Sequence, residues 1–395
     1  MVTNEVGPYQ NTDIGGGHGT HVAGIIAADS TTAADGSRLG VAPDADLVCY
    51  SIGEVLFTTA VVTAYDHMLD QPGLWSIDVV NNSWGNSFQQ FDPRAPVAVA
   101  TKAVADLGVV VVFAAGNSGS ENAEMSLNPF SQSPWVISVA SSTVARVRAA
   151  SSSNGLRFDN AEAVTIGAGG RTTFRGDRIG IYHPDVTAPG QSISSTCSTA
   201  GTAIRACPPP NYTNATASGT SMASPHVAGA AAVLLQANPG LTPTQVRLAL
   251  QATATAVTGT DGSALGFWQV GFGFVNLDAA ASLVRMKNLD KKLATVAAEA
   301  DARVLAADGF RVARSDFWTY DSPRATAGTD TRSYSVEVPS ATTDLKVTLS
   351  HPSGAVLGAN GTSYTVRCAT PAASCWARRP RASPRAPARP ASSST

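Results

Sequence analysis

The sequence contains no long apolar run, few cysteines and little charge. Its most apolar stretches, Val109 to Ala115 and Ala228 to Leu235, fall well short of the roughly 18 consecutive apolar residues that a spanning helix needs. No membrane span is expected. Five cysteines in 395 residues are too few for a disulfide-built scaffold, and the odd number leaves at least one unpaired. Cys197 with Cys207, and Cys368 with Cys375, are near enough in sequence to bridge in an oxidising compartment, or to stay reduced elsewhere. Cys49, inside the apolar run Ala45 to Ile52, reads as a small buried hydrophobe. Charged residues make up only 14%, with 27 basic against 29 acidic, so no excess of one sign draws nucleic acid or an anionic membrane. No internal repeat is present. No signal segment opens the chain either, since Met1 is followed by the polar stretch Thr3 to Asp13; this leaves an intracellular protein or a chain whose beginning is absent.

What is there is 44% hydrophobic residues, enough for one large core and a smaller accessory unit. The runs Asp46 to Ile52, Ile77 to Trp84, Val109 to Ala115 and Trp135 to Ser141 are too continuously apolar for strands with one wet face. Helical stretches alternate with them, so a three-layer α/β sandwich around a mostly parallel sheet is expected. A helix from about Arg94 to Leu107 should stop at Gly108 and pass straight into the valine strand. Thr242, Pro243 and Gln245 spell a capping box with proline at the first helical position, and a longer helix should run from about Ser221 to Ala237. Residues 286–314 read as a helical linker, 315–366 as a small antiparallel β-rich unit, and 367–395 as an Arg/Pro/Ala/Ser tail that cannot order itself.

Three separated segments surround a reactive residue with small ones. In Gly17-His18-Gly19-Thr20-His21, glycines on both sides leave the His18 ring open to a partner, whereas His21 faces the core. No third ligand stands at metal spacing from the two histidines. In Gly219-Thr220-Ser221-Met222-Ala223-Ser224-Pro225-His226, Ser221 opens a helix, where it is either an ordinary N-cap or a hydroxyl set in the positive end of the helix dipole. In Ala114-Ala115-Gly116-Asn117-Ser118-Gly119, Asn117 follows the carboxyl end of a buried strand, where open α/β sheets place their ligands. A fourth segment, Asn81-Asn82-Ser83-Trp84-Gly85, ends a neighbouring strand in the same way.

In this order the segments resemble the subtilisin-like serine peptidase family, from about Gly17 to about Ala281. The resemblance implies a peptidase domain over residues 1–285 and a serine endopeptidase working through an acyl-enzyme on Ser221. His18 would be the general base and Asn117 the side-chain donor of the oxyanion hole. It also implies that Ser83, Trp84, Gly85, Ala114, Ala115 and Gly116 border the substrate pocket, whose uncharged walls suit a fairly large apolar side chain. Expected with it are a secreted monomer, a protein or peptide substrate, no cofactor for catalysis and structural calcium at unassigned positions.

One part of the family's pattern is missing. The family carries its aspartate upstream of the histidine, at the end of a long strand, in an Asp-Thr/Ser-Gly motif, and no such motif precedes His18. Asp13 is the only aspartate ahead of it, in a polar, glycine-rich stretch with no strand behind it, which argues against Asp13 as the orienting acid. Loss of that acid is worth about 10⁴ in turnover in a serine triad. The expectation is an amino-terminally incomplete reading of a longer secreted peptidase. The alternative is an impaired fragment or pseudopeptidase that binds extended peptides. A nucleotide-binding α/β protein is disfavoured, because no glycine-rich phosphate loop follows the first strand.

Overall fold

The computed structural model describes residues 13, 16–29, 40–52, 57–70, 76–87, 91, 95–119, 126–133, 135–155, 164–166, 172–174, 183–199, 201–207 and 214–295. The expected β-rich unit, the tail, Cys368, Cys375 and the linker after residue 295 lie outside the described residues.

A parallel sheet forms the middle layer. Its strands are β1 (Val79–Asn82), β2 (Val110–Ala114), β3 (Val136–Ser142) and β6 (Val186–Pro189), hydrogen-bonded in the order β1-β2-β3-β6, while β4 (Val164–Ile166) and β5 (Thr172–Phe174) form a separate antiparallel pair. Every residue of β2 and β3 is buried. The runs are continuous because each face has its own helical cover. Val110, Val112, Ile137, Val139 and Val186 pack on one side against α4 (Thr220–Ala237), α5 (Pro243–Thr253) and α7 (Leu277–Val284), the last two separated in sequence by the short helix α6 (Phe267–Val270). Val80, Val111, Phe113 and Val136 pack on the other against α2 (Thr58–Asp70) and α3 (Pro96–Asp106). This is the α/β sandwich expected from valine-rich strands with no wet face.

Local rules set the helix ends. α3 gives way at Gly108, whose φ of 93° is open to glycine at little cost, and β2 starts two residues later. Before α5, Thr242 Oγ1 accepts from the Gln245 N–H at 3.2 Å, and Gln245 Oε1 accepts from the Thr242 N–H at 2.8 Å, completing the capping box.

Two expectations are corrected. The run Asp46 to Ile52 forms no strand, and residues 46–49 are exposed, with Leu47 at 45% and Val48 at 38%. A strand exists by pairing its main chain, and this run pairs with no described strand, so apolar content alone does not make it one. Cys49 is accordingly an exposed free thiol rather than a buried one.

Two smaller features frame the site. The antiparallel pair β7 (Ile193–Ser195) and β8 (Ala215–Ala217) leads directly into α4. α1 (His18–Ala27) packs Val22 and Ile25 on Met222 of α4 and on Ile193 and Ala215.

Candidate active site

The candidate residues gather where strands end and helices begin. Ser221 lies in the first turn of α4, but it is not the cap: Gly219 holds that position, and no side chain caps the helix. Gly219 has φ 151°, and its N–H donates to Gly190 O at 2.7 Å, which ties the start of α4 to the end of β6. The ordinary N-cap reading of Ser221 is therefore set aside, since the Ser221 hydroxyl instead donates to Ser83 O at 3.2 Å.

The contact runs both ways. Ser83 Oγ donates to Ser221 O at 2.8 Å. That carbonyl is available because the residue four positions on is Pro225, which has no N–H to return to it. Ser224 Oγ donates to Asn81 Oδ1 at 2.7 Å, and Asn81 Nδ2 donates to Ser83 Oγ at 3.0 Å. The end of β1 and the first turns of α4 are thus stitched together by short polar side chains.

Asn117 follows β2 and is exposed. Its Oδ1 accepts from the Thr220 N–H at 2.8 Å and from Thr220 Oγ1 at 3.0 Å. A backbone N–H can only donate, so the atom it meets is the carboxamide oxygen and the NH₂ group lies on the other side. Thr220 Oγ1 in turn accepts from the Gly116 N–H at 3.1 Å. One threonine therefore fixes the orientation of Asn117 against the helix that carries Ser221.

His18 is the first residue of α1 and is half-buried. α1 packs on α4, with Val22, Ile25 and Met222 in one apolar cluster and Ile26 O beside Gly229. The imidazole is held below its ordinary pKa by burial first and by the neighbouring His21 second, while Asp13 acts in the opposite direction. His21 is fully buried, and its Nε2 lies 3.2 Å from Ile193 O and 3.1 Å from Ala215 O, so it anchors β7 and β8. Asp13 is spent on the backbone: Oδ1 accepts from the Gly17 N–H and Oδ2 from the Thr20 N–H, both at 2.8 Å. It caps α1, which a reading for catalytic acids alone does not reveal.

The expected pocket walls are brought together. Ser83, Ala114 and Ala115 are buried, Trp84 and Gly116 half-buried and Gly85 exposed. The Trp84 ring stacks edge-on to Phe113 at 5.2 Å and lies 5.5 Å from Phe130. Sequence reasoning missed the residue that joins the two walls. Asn128 Nδ2 donates to Trp84 O at 2.9 Å and Ala114 O at 3.2 Å, and its N–H donates to Ala115 O at 2.8 Å. Ser153 was missed too; its N–H donates to Gly116 O at 2.9 Å and its Oγ accepts from the Ser118 N–H at 3.0 Å, bracing both sides of Asn117. Among the described residues, no group of three His, Cys, Asp or Glu side chains could hold a metal ion, and no helix is long and apolar enough to cross a membrane.

The model of the subtilase family matches residues 2–273. Subtilisin DY of Bacillus licheniformis is 35% identical over 280 residues, covering 70% of this chain and 81% of the relative. Subtilisin E of Bacillus subtilis (strain 168) is 34% identical over 289 residues, covering 71% of this chain and 59% of the relative. Among solved structures, sphericase superposes with a TM-score of 0.50 at 31% identity, covering 66% of this chain and 77% of that one. The patellamide maturation protease PatA, with a TM-score of 0.50 and 22% identity over 68% of this chain and 84% of its own, is a likeness of fold. The class is serine-type endopeptidase. Within that class, the chain belongs to the subtilase family.

Proposed function

We propose that this chain hydrolyses peptide bonds through an acyl-enzyme on Ser221. His18 takes the hydroxyl proton as Ser221 Oγ attacks the scissile carbonyl, then delivers it to the leaving amine, and water repeats the cycle on the acyl group. A neutral imidazole is needed at the start, which its lowered pKa favours. The Asn117 NH₂ and the Ser221 N–H receive the negative charge that develops on the carbonyl oxygen. The observation that carries this reading is the Thr220–Asn117 pair, because it turns the carboxamide so that its donors face away from the helix that bears the nucleophile's turn.

Uncharged walls at Ser83 to Gly85 and Ala114 to Gly116 support a preference for an apolar side chain before the cut. The Cys197–Cys207 disulfide supports action outside the cell, where such bonds persist. A second reading, a catalytically impaired chain that only binds extended peptides, draws on Asp13, whose two oxygens are committed to Gly17 and Thr20. A fluorophosphonate probe separates the two. Labelling at Ser221 that vanishes in Ser221→Ala supports hydrolysis; folded protein that takes no label supports the second reading.

A further inference from the structure

We propose that Ser195 and Thr196, together with the disulfide-closed segment from Cys197 to Cys207 that follows them, form a clamp that fixes the main chain on both sides of His18 and positions the imidazole. The inference rests on the reading of His18 as the general base and adds what holds that base in place.

The segment grips α1 ahead of His18. The N–H groups of Ala203 and Ile204 both donate to Gly16 O, at 3.1 and 2.9 Å. Ser198 Oγ donates to Asp13 O at 2.7 Å, while the Asp13 carboxylate holds the N–H groups of Gly17 and Thr20. Gly17, at φ 72°, sits so close that a Cβ there would stand 3.0 Å from Gly201 Cα and 3.0 Å from Ile204 O. Two glycines are what let the chains touch.

The grip continues after His18. Thr196 Oγ1 donates to Thr20 O at 2.7 Å, and Ser195 Oγ donates to His21 O at 2.8 Å. Gly24 leaves room for both side chains, since a Cβ there would overlap the Thr196 and Ser195 hydroxyls. Beneath these bonds, Ile204 and Cys197 pack with Val22, Ile25 and Met222, the same residues that join α1 to α4. The Cys197–Cys207 bond closes the loop, with the Cys207 N–H donating to Ser198 O at 3.0 Å. Residues 195, 196, 198, 203 and 204 thus bond the main chain before and after His18, so closing that loop limits how far the imidazole can drift.

The test uses the full chain in two forms. In Ser221→Ala, which cannot digest itself, amide hydrogen exchange is followed before and after a dithiol gives two electrons and two protons to the Cys197–Cys207 bond, becoming a cyclic disulfide itself. The Gly17 and Thr20 amides should exchange about 10-fold faster after reduction, with those of β3 unchanged, as local opening requires. Unchanged exchange at Gly17 and Thr20, or equal acceleration in β3, overturns the clamp. In the catalytic chain, reduction should lower kcat about 10-fold with KM within about 2-fold, as for lost transition-state positioning. Gly201→Val, which keeps the disulfide but forces the segment off Gly17, should do the same; normal kcat in that variant overturns the proposal. A chain that shows the exchange change yet hydrolyses nothing keeps the clamp and removes only the peptidase reading.

Discussion

Ser83 and Ser221 hold each other by a reciprocal pair of hydrogen bonds, each hydroxyl donating to the other residue's main-chain carbonyl, at 2.8 and 3.2 Å. Pro225 makes this possible by leaving Ser221 O without its helical donor. Ser83→Ala should leave that carbonyl unsatisfied, at about 1–3 kcal/mol, and lower kcat by loosening the turn that carries the nucleophile. Pro225→Ala restores a helical donor, so the cost of Ser83→Ala should shrink in that background. Thermal melts and kcat over the four-protein cycle measure the coupling; additive effects would mean that the proline and the serine are unrelated.

Asn117 and Thr220 give a second expectation. Removing one such oxyanion donor from a subtilisin, a relative of this chain, costs about 10²–10³ in kcat. Asn117→Asp keeps an acceptor for the Thr220 N–H and loses the NH₂, so kcat should fall by a similar factor with folding retained. Thr220→Val removes one of the two bonds that turn the carboxamide, and should cost less, about 10-fold. Equal kcat in Asn117→Asp and the parent would remove Asn117 from the chemistry.

Much of this architecture is legible in the chain because it is set locally. The valine runs of β2 and β3, the glycine stop at Gly108 and the Thr242–Gln245 box each declare themselves within a few residues. Ser221 at a helix start and Asn117 after a buried strand are legible for the same reason. The apolar run at residues 46–52 misleads because strand formation depends on a partner that the run itself does not contain. Asn128 and Ser153 were invisible because they act across the fold, on Trp84, Ala114 and Gly116, by bonds that no spacing announces. Asp13 reads as a poor catalytic acid and turns out to be a helix cap, a role fixed by where Gly17 and Thr20 present their N–H groups.

The histidines set the acid side of the pH response. His18, His21 and His226 all lie below the ordinary histidine value of about 6.5, with burial as the largest cause in each. The unfolded chain therefore binds more protons than the native one just below that pH. Their contribution to stability is fully present above about pH 6.5 and is lost as pH falls through the depressed native values, by up to about 1.4 kcal/mol per pH unit for each proton taken up on unfolding. Melting temperature should drop between pH 7 and pH 5, and the acid limb of kcat/KM should lie below pH 6.5. Asp13→Asn removes the charge that raises the His18 pKa, so that limb should move lower still; a move upward would reverse the sign assigned to Asp13.

Gly85 offers a test of the pocket that spares the nucleophile. A Cβ at Gly85 would run into the Asn128 carboxamide, which pins Trp84 O to Ala114 O and is itself fixed where Phe130 N–H meets its Oδ1 at 3.2 Å. Asn128 is fully packed, so the side chain can only withdraw by abandoning those carbonyls, at about 1–3 kcal/mol for each group left unsatisfied. Once unpinned, the two walls can part, and the pocket loses its shape before Ser221 loses its position. Gly85→Ala should therefore raise KM for peptides with a large apolar residue before the cut by about 10-fold, with a smaller effect on kcat. Gly108→Ala is the matching control, because its φ of 93° makes alanine strained while the space around it is open. It should lower the melting temperature through about 1 kcal/mol of backbone strain and leave KM alone. If both substitutions change KM alike, general loosening explains the effect; if neither does, Asn128 is a packing residue and the walls it joins do not contact the substrate.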